Sequence, residues 1–319
     1  LNYFKPLAAF RRNFGNVNCA RFSPDGTKMI LSCQDGVIRI WSIKPRKEIQ
    51  QLRGHQNGVR CAEFSPNRNI IVSCSKDKTI RLWDVNSGQM IITLNGHSQL
   101  VTSARFSPDG NFIVSGSHDA TIRIWDLTSG KEGKILVGHS DWIRDVKFSP
   151  DGQTLVSSSS DKTIAIWDIK SCDKVMELKG HSKTVITAEF SPDGRFIVSC
   201  STDRTIRLWN VSSGTEIKKF TEPSATITGV RFFPDGHTIV ACSDDNVIRL
   251  WDIKLGMKIQ ELRGSVYWQE RLRLCDMYGY PIQKWTNHNF CVVGVDVSSG
   301  GNTIISTSSD GNIRLWGLL

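Results

Sequence analysis

Serine, histidine and aspartate recur together in this chain, and the three side chains could supply the nucleophile, base and orienting carboxylate of a hydrolase. One such set is His55, Ser75 and Asp77. The set returns at a constant interval as His97, Ser117 and Asp119, as His139, Ser159 and Asp161, and as His181, Ser201 and Asp203. Catalysis needs a unique pocket with a perturbed acid or base, and an enzyme rarely builds four identical sites. We therefore interpret these groups as structural and expect no catalytic residue among them.

A tryptophan repeat places these residues in a larger pattern. Trp occurs at positions 41, 83, 125, 167, 209 and 251, a constant step of 42 residues, and again at 316. An Asp stands six residues before every one of these tryptophans, and Asp follows four of them directly. The histidines of the four sets are each preceded by Gly. A period of this length indicates seven stacked copies of one structural unit.

The third unit shows why each copy should fold as a small sheet. Residues 101–106 alternate apolar with polar or small side chains, and a Ser-Pro-Asp-Gly turn at 107–110 separates them from a second run at 111–117. Residues 121–125 form a third run, and a turn at 128–130 leads to a fourth that ends at Leu136. Helical periodicity is nowhere sustained. The sequence predicts four antiparallel strands in each unit.

The period, the Gly-His pair, the turn Asp and the Trp-Asp pair occur together in register, and in this the chain resembles the WD40 (WD-repeat) family of β-propellers over its whole length. The resemblance implies an all-β fold in which residues 1–319 form a single seven-bladed propeller with four-stranded antiparallel blades. It also implies that the Ser, His and Asp of each blade join the Trp in a hydrogen-bond network. Blades 1 and 6 depart from the pattern, with Asn13, Cys33 and Pro223 at network positions, whereas blade 7 keeps His288.

The two ends of the chain suggest how the ring closes. The last unit stops at Trp316-Gly317-Leu318-Leu319, directly after its third strand. At the N-terminus, Lys5–Phe10 stand in the register that a fourth strand holds before the next unit. We therefore expect the N-terminal segment to complete blade 7 by strand exchange.

An insertion of 23 residues separates blades 6 and 7, at about residues 264–287. Its sequence repeats the pattern around Trp251 in part, so we interpret it as a half repeat carried as a projecting hairpin. Three of the four tyrosines of the chain lie here. These aromatic residues must pack on something, and both self-packing and contact with a partner remain open.

Composition narrows the class of protein. The sequence contains no 18-residue apolar run and no signal-peptide pattern, so we expect no membrane association and a cytoplasmic or nuclear location. The nine cysteines lack CxxC spacing and fit reduced structural thiols, and no metal cluster or phosphate loop is evident. We expect a monomeric propeller without metal or cofactor.

The resemblance also marks the positions where related propellers contact peptides, at one end of the central channel. These positions vary from unit to unit while the rest repeats, which separates possible specificity from scaffold. The candidate partner-binding residues are Arg60, Lys76, Leu100, His118, Trp142, Arg144 and Asp244. Arg60, Lys76, His118 and Arg144 would form a cationic arc over blades 2 to 4. A solvated rim without a ligand remains the alternative.

These features favour a non-enzymatic protein-interaction scaffold that binds an acidic or phosphorylated partner peptide, within a multiprotein complex. The alternative is a module that binds nucleic acid or another anionic surface through its formal net charge of +9. Six arginines two residues before the repeated tryptophans weaken that alternative, because their repetition marks them as structural. A hydrolase ranks last.

Overall fold

A computed structural model describes residues 3–10, 16–127, 131–222, 225–263 and 291–318, and every regular element in these ranges is a β-strand. Its 28 strands form seven antiparallel sheets of four strands each. Each sheet packs on the next, and the first strand of blade 7 lies beside that of blade 1, which closes a ring. The predicted all-β, seven-bladed propeller is thus confirmed. The insertion at 264–287, Asn13, Pro223 and His288 lie outside the described residues.

The strands follow one another from the channel outward within each blade. Blade 1 holds β2 (Val17–Phe22), β3 (Lys28–Cys33), β4 (Val37–Ser42) and β5 (Lys47–Arg53). Blade 2 holds β6 (Val59–Phe64), β7 (Ile70–Ser75), β8 (Ile80–Asp84) and β9 (Met90–Leu94). Blade 3 holds β10 (Val101–Phe106), β11 (Phe112–Ser117), β12 (Thr121–Asp126) and β13 (Lys131–Val137). Blade 4 holds β14 (Ile143–Phe148), β15 (Thr154–Ser159), β16 (Ile164–Asp168) and β17 (Lys174–Leu178).

The remaining blades repeat the order, and only blade 7 takes a strand from the other end of the chain. Blade 5 holds β18 (Val185–Phe190), β19 (Phe196–Ser201), β20 (Thr205–Asn210) and β21 (Glu216–Thr221). Blade 6 holds β22 (Ile227–Phe232), β23 (Thr238–Ser243), β24 (Ile248–Asp252) and β25 (Met257–Leu262). Blade 7 holds β26 (Val292–Val297), β27 (Thr303–Ser308), β28 (Ile313–Leu318) and, outermost, β1 (Phe4–Phe10).

The Ser-Pro-Asp-Gly turn joins the first two strands of a blade by a repeated set of hydrogen bonds. In blade 3 the Asp109 carboxylate accepts from the Ser107 hydroxyl and from the Asn111 N–H at 3.0 Å. Gly110 adopts φ +76°, a conformation that costs side-chain-bearing residues energy. The turn therefore fixes the register of the two strands that it joins.

The hydrophobic core is divided into seven clusters, each lying between two neighbouring blades. In one of them, Val114 and Ile122 of blade 3 pack with Val146, Leu155 and Trp167 of blade 4. A single four-stranded sheet would leave both of its apolar faces in water. Packing between neighbours covers both faces, and this explains why the units are stable only as a ring.

Strand β1 closes the ring as predicted. It pairs antiparallel with β28, with Phe4 opposite Leu318 and Phe10 opposite Ile313. The Phe10 ring meets Trp41 of blade 1 edge-to-face at a centroid distance of 5.6 Å. The N-terminal strand thus supplies both the outer edge of blade 7 and part of its packing against blade 1.

Deleting residues 1–11 is predicted to lower the melting temperature and to cause dimerisation or aggregation, because it leaves β28 with an unpaired edge and uncovers apolar side chains. Size-exclusion chromatography and thermal melting would measure both effects. The double substitution Lys5→Ala and Ala9→Ser changes only exposed positions of β1 and serves as the control. A deletion variant that stays monomeric and melts like the wild type would refute closure by strand exchange.

Candidate functional site

The repeated His, Asp and Trp form one hydrogen-bonded network in each of blades 2 to 5. In blade 2, His55 Nδ1 lies 2.8 Å from the Asp77 carboxylate, so this nitrogen carries the proton. His55 Nε2 lies 2.8 Å from Ser73 Oγ, and the Trp83 indole N–H donates to the same hydroxyl oxygen at 2.8 Å. Blades 3, 4 and 5 repeat these contacts through Ser115, Ser157 and Ser199.

The serine of the network is therefore not the one that the sequence analysis assigned. Ser75 was predicted, as were its counterparts Ser117, Ser159 and Ser201, but the network serine lies two residues earlier. Ser75 stands at the end of its strand, where its hydroxyl donates to the carbonyl of Asn57 and accepts from the Asp77 N–H. Ser73 lies deeper in the strand, diagonally opposite Trp83, and only there can one hydroxyl reach both the indole and the imidazole.

These contacts give the Ser, His and Asp groups a structural role. Ser73 is completely buried, and its hydroxyl is already bonded to an imidazole and an indole. Burial alone would raise the pKa of Asp77, but hydrogen bonds from His55 and Thr79 hold it well below its usual range. In blade 5, burial likewise opposes this, but hydrogen bonds from Thr205 and His181 lower the pKa of Asp203 to about 2. The carboxylates thus remain ionised and bound, and they hold the turn that joins the second and third strands.

Blades 1 and 6 replace the network with an ion pair. At the network serine position they carry Leu31 and Ala241, so the assignment of Cys33 to that position is corrected as well. In blade 6 the turn residue Asp245 binds Arg249 at 2.5 Å, and in blade 1 Asp35 binds Arg39 at 2.6 Å. The Trp251 indole N–H is buried without a hydrogen-bond partner among the described residues. Blade 6 therefore has the incomplete network that the sequence predicted.

The substitution Ser157→Ala in blade 4 is predicted to reduce the free energy of unfolding by about 1–3 kcal/mol. It removes the hydroxyl to which the buried His139 and Trp167 nitrogens are hydrogen-bonded. The reverse change, Ala241→Ser in blade 6, should stabilise by about 1 kcal/mol by giving the Trp251 N–H an acceptor. Urea unfolding measures both. Opposite signs support the network, and a loss in both variants would contradict it.

At one mouth of the channel, four of the predicted site residues meet. His118 and Trp142 stack face to face, with ring centroids 4.0 Å apart and an interplanar angle of 6°. Arg60 and Arg144 lie close enough to His118 for their charges to act on its titration. Trp142 keeps 48% of its surface exposed. We refer to Arg60, His118, Trp142 and Arg144 as the mouth cluster.

The other three predicted residues border this cluster or lie away from it. The carbonyl of Leu100 accepts from the His118 N–H at 3.0 Å, so Leu100 directly borders the mouth cluster. Lys76 is half-buried, and its N–H donates to Gly58 beside the strand that carries Arg60. Asp244 lies in blade 6, where its carboxylate accepts from the Thr226 N–H at 2.8 Å.

The two arginines of the mouth cluster form no ion pair with an acidic side chain among the described residues. No acidic oxygen of the described residues lies within 4.0 Å of Arg60 or Arg144, and Arg60 Nε is buried without a hydrogen bond. Burial and the charge of Arg60 lower the pKa of Arg144, although Asp141 opposes them. Burial, Arg144 and Arg60 lower the pKa of His118 to about 4. At neutral pH the mouth therefore holds two guanidinium charges beside a neutral imidazole, which suits an anion.

A ring of charged residues deeper in the channel was missed by the sequence analysis. The residue before the last residue of each first strand is charged in all seven blades: Arg21, Glu63, Arg105, Lys147, Glu189, Arg231 and Asp296. Ion pairs join neighbours, as between Lys147 and Glu189 at 2.7 Å and between Arg231 and Glu189 at 2.6 Å. The signal was visible in the repeat, since no other position of the unit is charged in every blade while carrying both signs.

The channel opens differently at its two ends. Beyond the charged ring it widens into a cavity of about 660 Å³, lined by the Phe and Pro residues around the Ser-Pro-Asp-Gly turns. Towards the mouth cluster a narrower cavity of about 130 Å³ reaches Arg60 and Arg144. Among the described residues, no group of three His, Cys, Asp or Glu side chains is placed to hold a metal ion. In the same ranges no helix is long and apolar enough to cross a membrane.

Comparison with protein families agrees with this geometry. Residues 4–42, 46–84 and 279–317 match the WD domain, G-beta repeat, and residues 106–268 match the family described as the IFT122 first beta-propeller. The chain belongs to the WD40-repeat family. WD40 propellers generally act as protein-interaction scaffolds and are generally not enzymes. The IFT122 match is a likeness of one propeller domain and leaves the particular member open.

Burial and the two arginine charges of the mouth cluster predict a low pKa for the His118 imidazole. NMR of the imidazole protons should give a pKa near 4 in this WD40 propeller. The substitution Arg144→Gln should raise that value toward about 6.5, because it removes one of the two charges that oppose protonation. Lys254→Gln, on an exposed turn of blade 6, should leave it unchanged. A wild-type pKa of about 6.5 would contradict both the burial of His118 and the described proximity of the two arginines.

Proposed function

We propose that this WD40 propeller is a non-enzymatic scaffold that binds an acidic or phosphorylated segment of a partner protein at the mouth cluster. The observation that carries the proposal is the pair of arginines, Arg60 and Arg144, with no acidic partner within 4.0 Å in the described part of the chain. Elsewhere in the channel, arginines are neutralised by the charged ring. The mouth is where the cationic side chains remain available.

A bound anion would relieve an electrostatic cost that the free protein carries. Burial lowers the pKa of Arg144, and repulsion by the charge of Arg60 lowers it further. A carboxylate or phosphate between them would replace repulsion by charge-assisted hydrogen bonds. Guanidinium groups bind phosphate in a two-pronged geometry, and each such bond is stronger than one between neutral groups.

The aromatic part of the cluster gives a peptide an apolar contact beside the charge. Trp142 is held flat by stacking on His118, so little side-chain freedom is lost when a partner covers it. Exposed Trp and Arg are the residue types that most often dominate binding energies. Lys76 and Leu100 would extend this surface, and Asp244 would favour a basic residue at the far end of the same peptide.

Binding of nucleic acid through net charge is less well supported. Several of the arginines that precede the repeated tryptophans are buried, among them Arg39, Arg207, Arg249 and Arg314. Arg207 binds Glu216 at 2.5 Å, and Arg249 binds Asp245. These residues contribute to the formal charge of +9 without forming a continuous basic surface.

The test measures binding by fluorescence anisotropy. Three degenerate peptide libraries are compared, with phosphoserine, serine or glutamate fixed at the central position, and a DNA duplex is measured beside them. Arg60→Gln with Arg144→Gln is predicted to weaken phosphopeptide binding at least about tenfold, since each charge-assisted bond contributes about 1.5–3 kcal/mol. Trp142→Ala with Arg144→Ala should have a similar effect while leaving thermal stability within about 1 kcal/mol.

The matched control is Lys219→Gln with Lys254→Gln, which removes the same number of positive charges from exposed positions of blades 5 and 6. It should leave phosphopeptide affinity unchanged. Equal losses in both double variants, together with tighter binding of the duplex, would show that net charge rather than the mouth cluster is responsible. Failure of the wild type to prefer phosphoserine or glutamate over serine would overturn the proposed ligand class.

A further inference from the structure

Two cysteines meet across the interface between blades 1 and 2. Cys19 of β2 and Cys61 of β6 occupy the same repeat position, and their sulfur atoms lie 3.3 Å apart. The other blades carry non-thiol residues there: Ser103, Asp145, Thr187, Gly229 and Gly294. The pair thus arises because two adjacent blades carry cysteine at the same repeat position of their first strands, and these strands lie side by side.

The surroundings favour a thiolate on Cys61. Arg105 of blade 3 donates from Nη1 to Cys61 Sγ at 2.9 Å. The hydrogen bond from Cys19, together with the charges of Arg105 and Arg21, holds the pKa of Cys61 well below its usual range although burial opposes this. The bond to Cys61 and burial raise the pKa of Cys19. One sulfur is therefore the nucleophile, and the other is the thiol that donates to it.

A small oxidant can reach the pair from the channel. Both sulfur-bearing residues line the cavity of about 130 Å³ that lies below the mouth cluster. Cys19 is half-buried, and only 5% of Cys61 is exposed. Bulky reagents are thus excluded, whereas a molecule of the size of hydrogen peroxide fits.

We propose that Cys19 and Cys61 form a peroxide-sensitive modification site that closes to a disulfide between blades 1 and 2. The Cys61 thiolate attacks one peroxide oxygen, breaks the O–O bond and becomes a sulfenic acid, and hydroxide leaves. The Cys19 sulfur then attacks Cys61 Sγ, the S–S bond forms and the S–O bond breaks. The thiol proton leaves with the departing oxygen as water, and the hydroxide of the first step takes up the proton that Cys61 released on ionisation. Two thiols and one peroxide thus give one disulfide and two waters.

The geometry requires only a small movement for this step. The sulfur atoms must approach from 3.3 Å to the disulfide length of about 2.05 Å. Arg105 would lose the Cys61 thiolate but keep Glu63 at 3.3 Å and Asp145 at 3.5 Å. The charged ring therefore remains intact, and the new bond ties the first strands of two blades together.

The other described cysteines provide internal controls. Cys74, Cys200 and Cys242 are fully buried, and burial raises the pKa of each thiol. Cys172 is half-buried in a turn of blade 4, where its thiol donates to the Ile169 carbonyl. Exposure alone would favour Cys172 over Cys61, so the two explanations predict different products.

The experiment treats the folded full chain with an equimolar dose of hydrogen peroxide, alkylates the remaining thiols in urea and maps peptides by mass spectrometry without reduction. The expected result is a Cys19–Cys61 linked peptide as the main product, reversed by dithiothreitol, with a higher melting temperature of the oxidised chain. In Cys19→Ser, dimedone added together with urea after the peroxide should label Cys61 as a sulfenic acid, because unfolding gives this bulkier reagent access to the sulfur. In Cys61→Ser, Cys19 should stay reduced at the same dose.

Two results would overturn the proposal. One is that Cys19 and Cys61 both remain alkylatable at a dose that oxidises Cys172. The other is that the linked peptide forms equally fast in the urea-unfolded chain, because the fold would then contribute nothing to the pairing.

Discussion

The structure depends on one constraint: every four-stranded blade has two apolar faces, and neither is covered unless a neighbour stands on each side. Seven interblade clusters meet this constraint, and the last of them can exist only if the ring is closed. Strand β1 closes the ring, because it pairs with the C-terminal strand β28 and packs Phe10 against Trp41 of blade 1. Local strand propensity supplies the blades, but it is the mutual burial of the blades that makes a stable domain.

Within the closed ring, the residues that repeat in most blades stabilise the fold, whereas those that vary lie at the channel mouth. The Ser, His, Asp and Trp groups recur because each blade must satisfy the same buried polar atoms. Where a blade lacks the histidine or serine, an Asp–Arg ion pair holds the turn instead, as in blades 1 and 6. At the channel mouth no such requirement applies: Trp142 differs from its counterparts in every other blade, and Arg60 and Arg144 share a repeat position that carries other residues in the remaining blades.

The sequence predicted the number of blades, their strand order and the closing strand, because all three follow from the period and from the turn residues. It did not identify the network serine correctly. Ser73 and Ser75 lie on the same face of one strand, and only the diagonal cross-strand position relative to Trp83 separates them. The charged ring was also missed. Its charges have a purpose only as ion pairs between neighbouring blades, and those pairs join residues that lie 42 positions apart in the sequence. The mouth residues were predicted from the repeat, but the stacking of His118 on Trp142 became visible only in the structure, as did the absence of an ion pair at Arg60 and Arg144 within the described ranges.

The most direct test of a binding site at the mouth cluster is a double-mutant cycle between Arg144 of the chain and the phosphate of its tightest-binding library peptide. Binding is measured for wild type and Arg144→Gln, each with the phosphorylated and the unphosphorylated peptide. If the guanidinium binds the phosphate, the coupling free energy should exceed about 1.5 kcal/mol. A coupling near zero, with both changes acting independently, would contradict contact between the two groups and place the peptide elsewhere on the propeller.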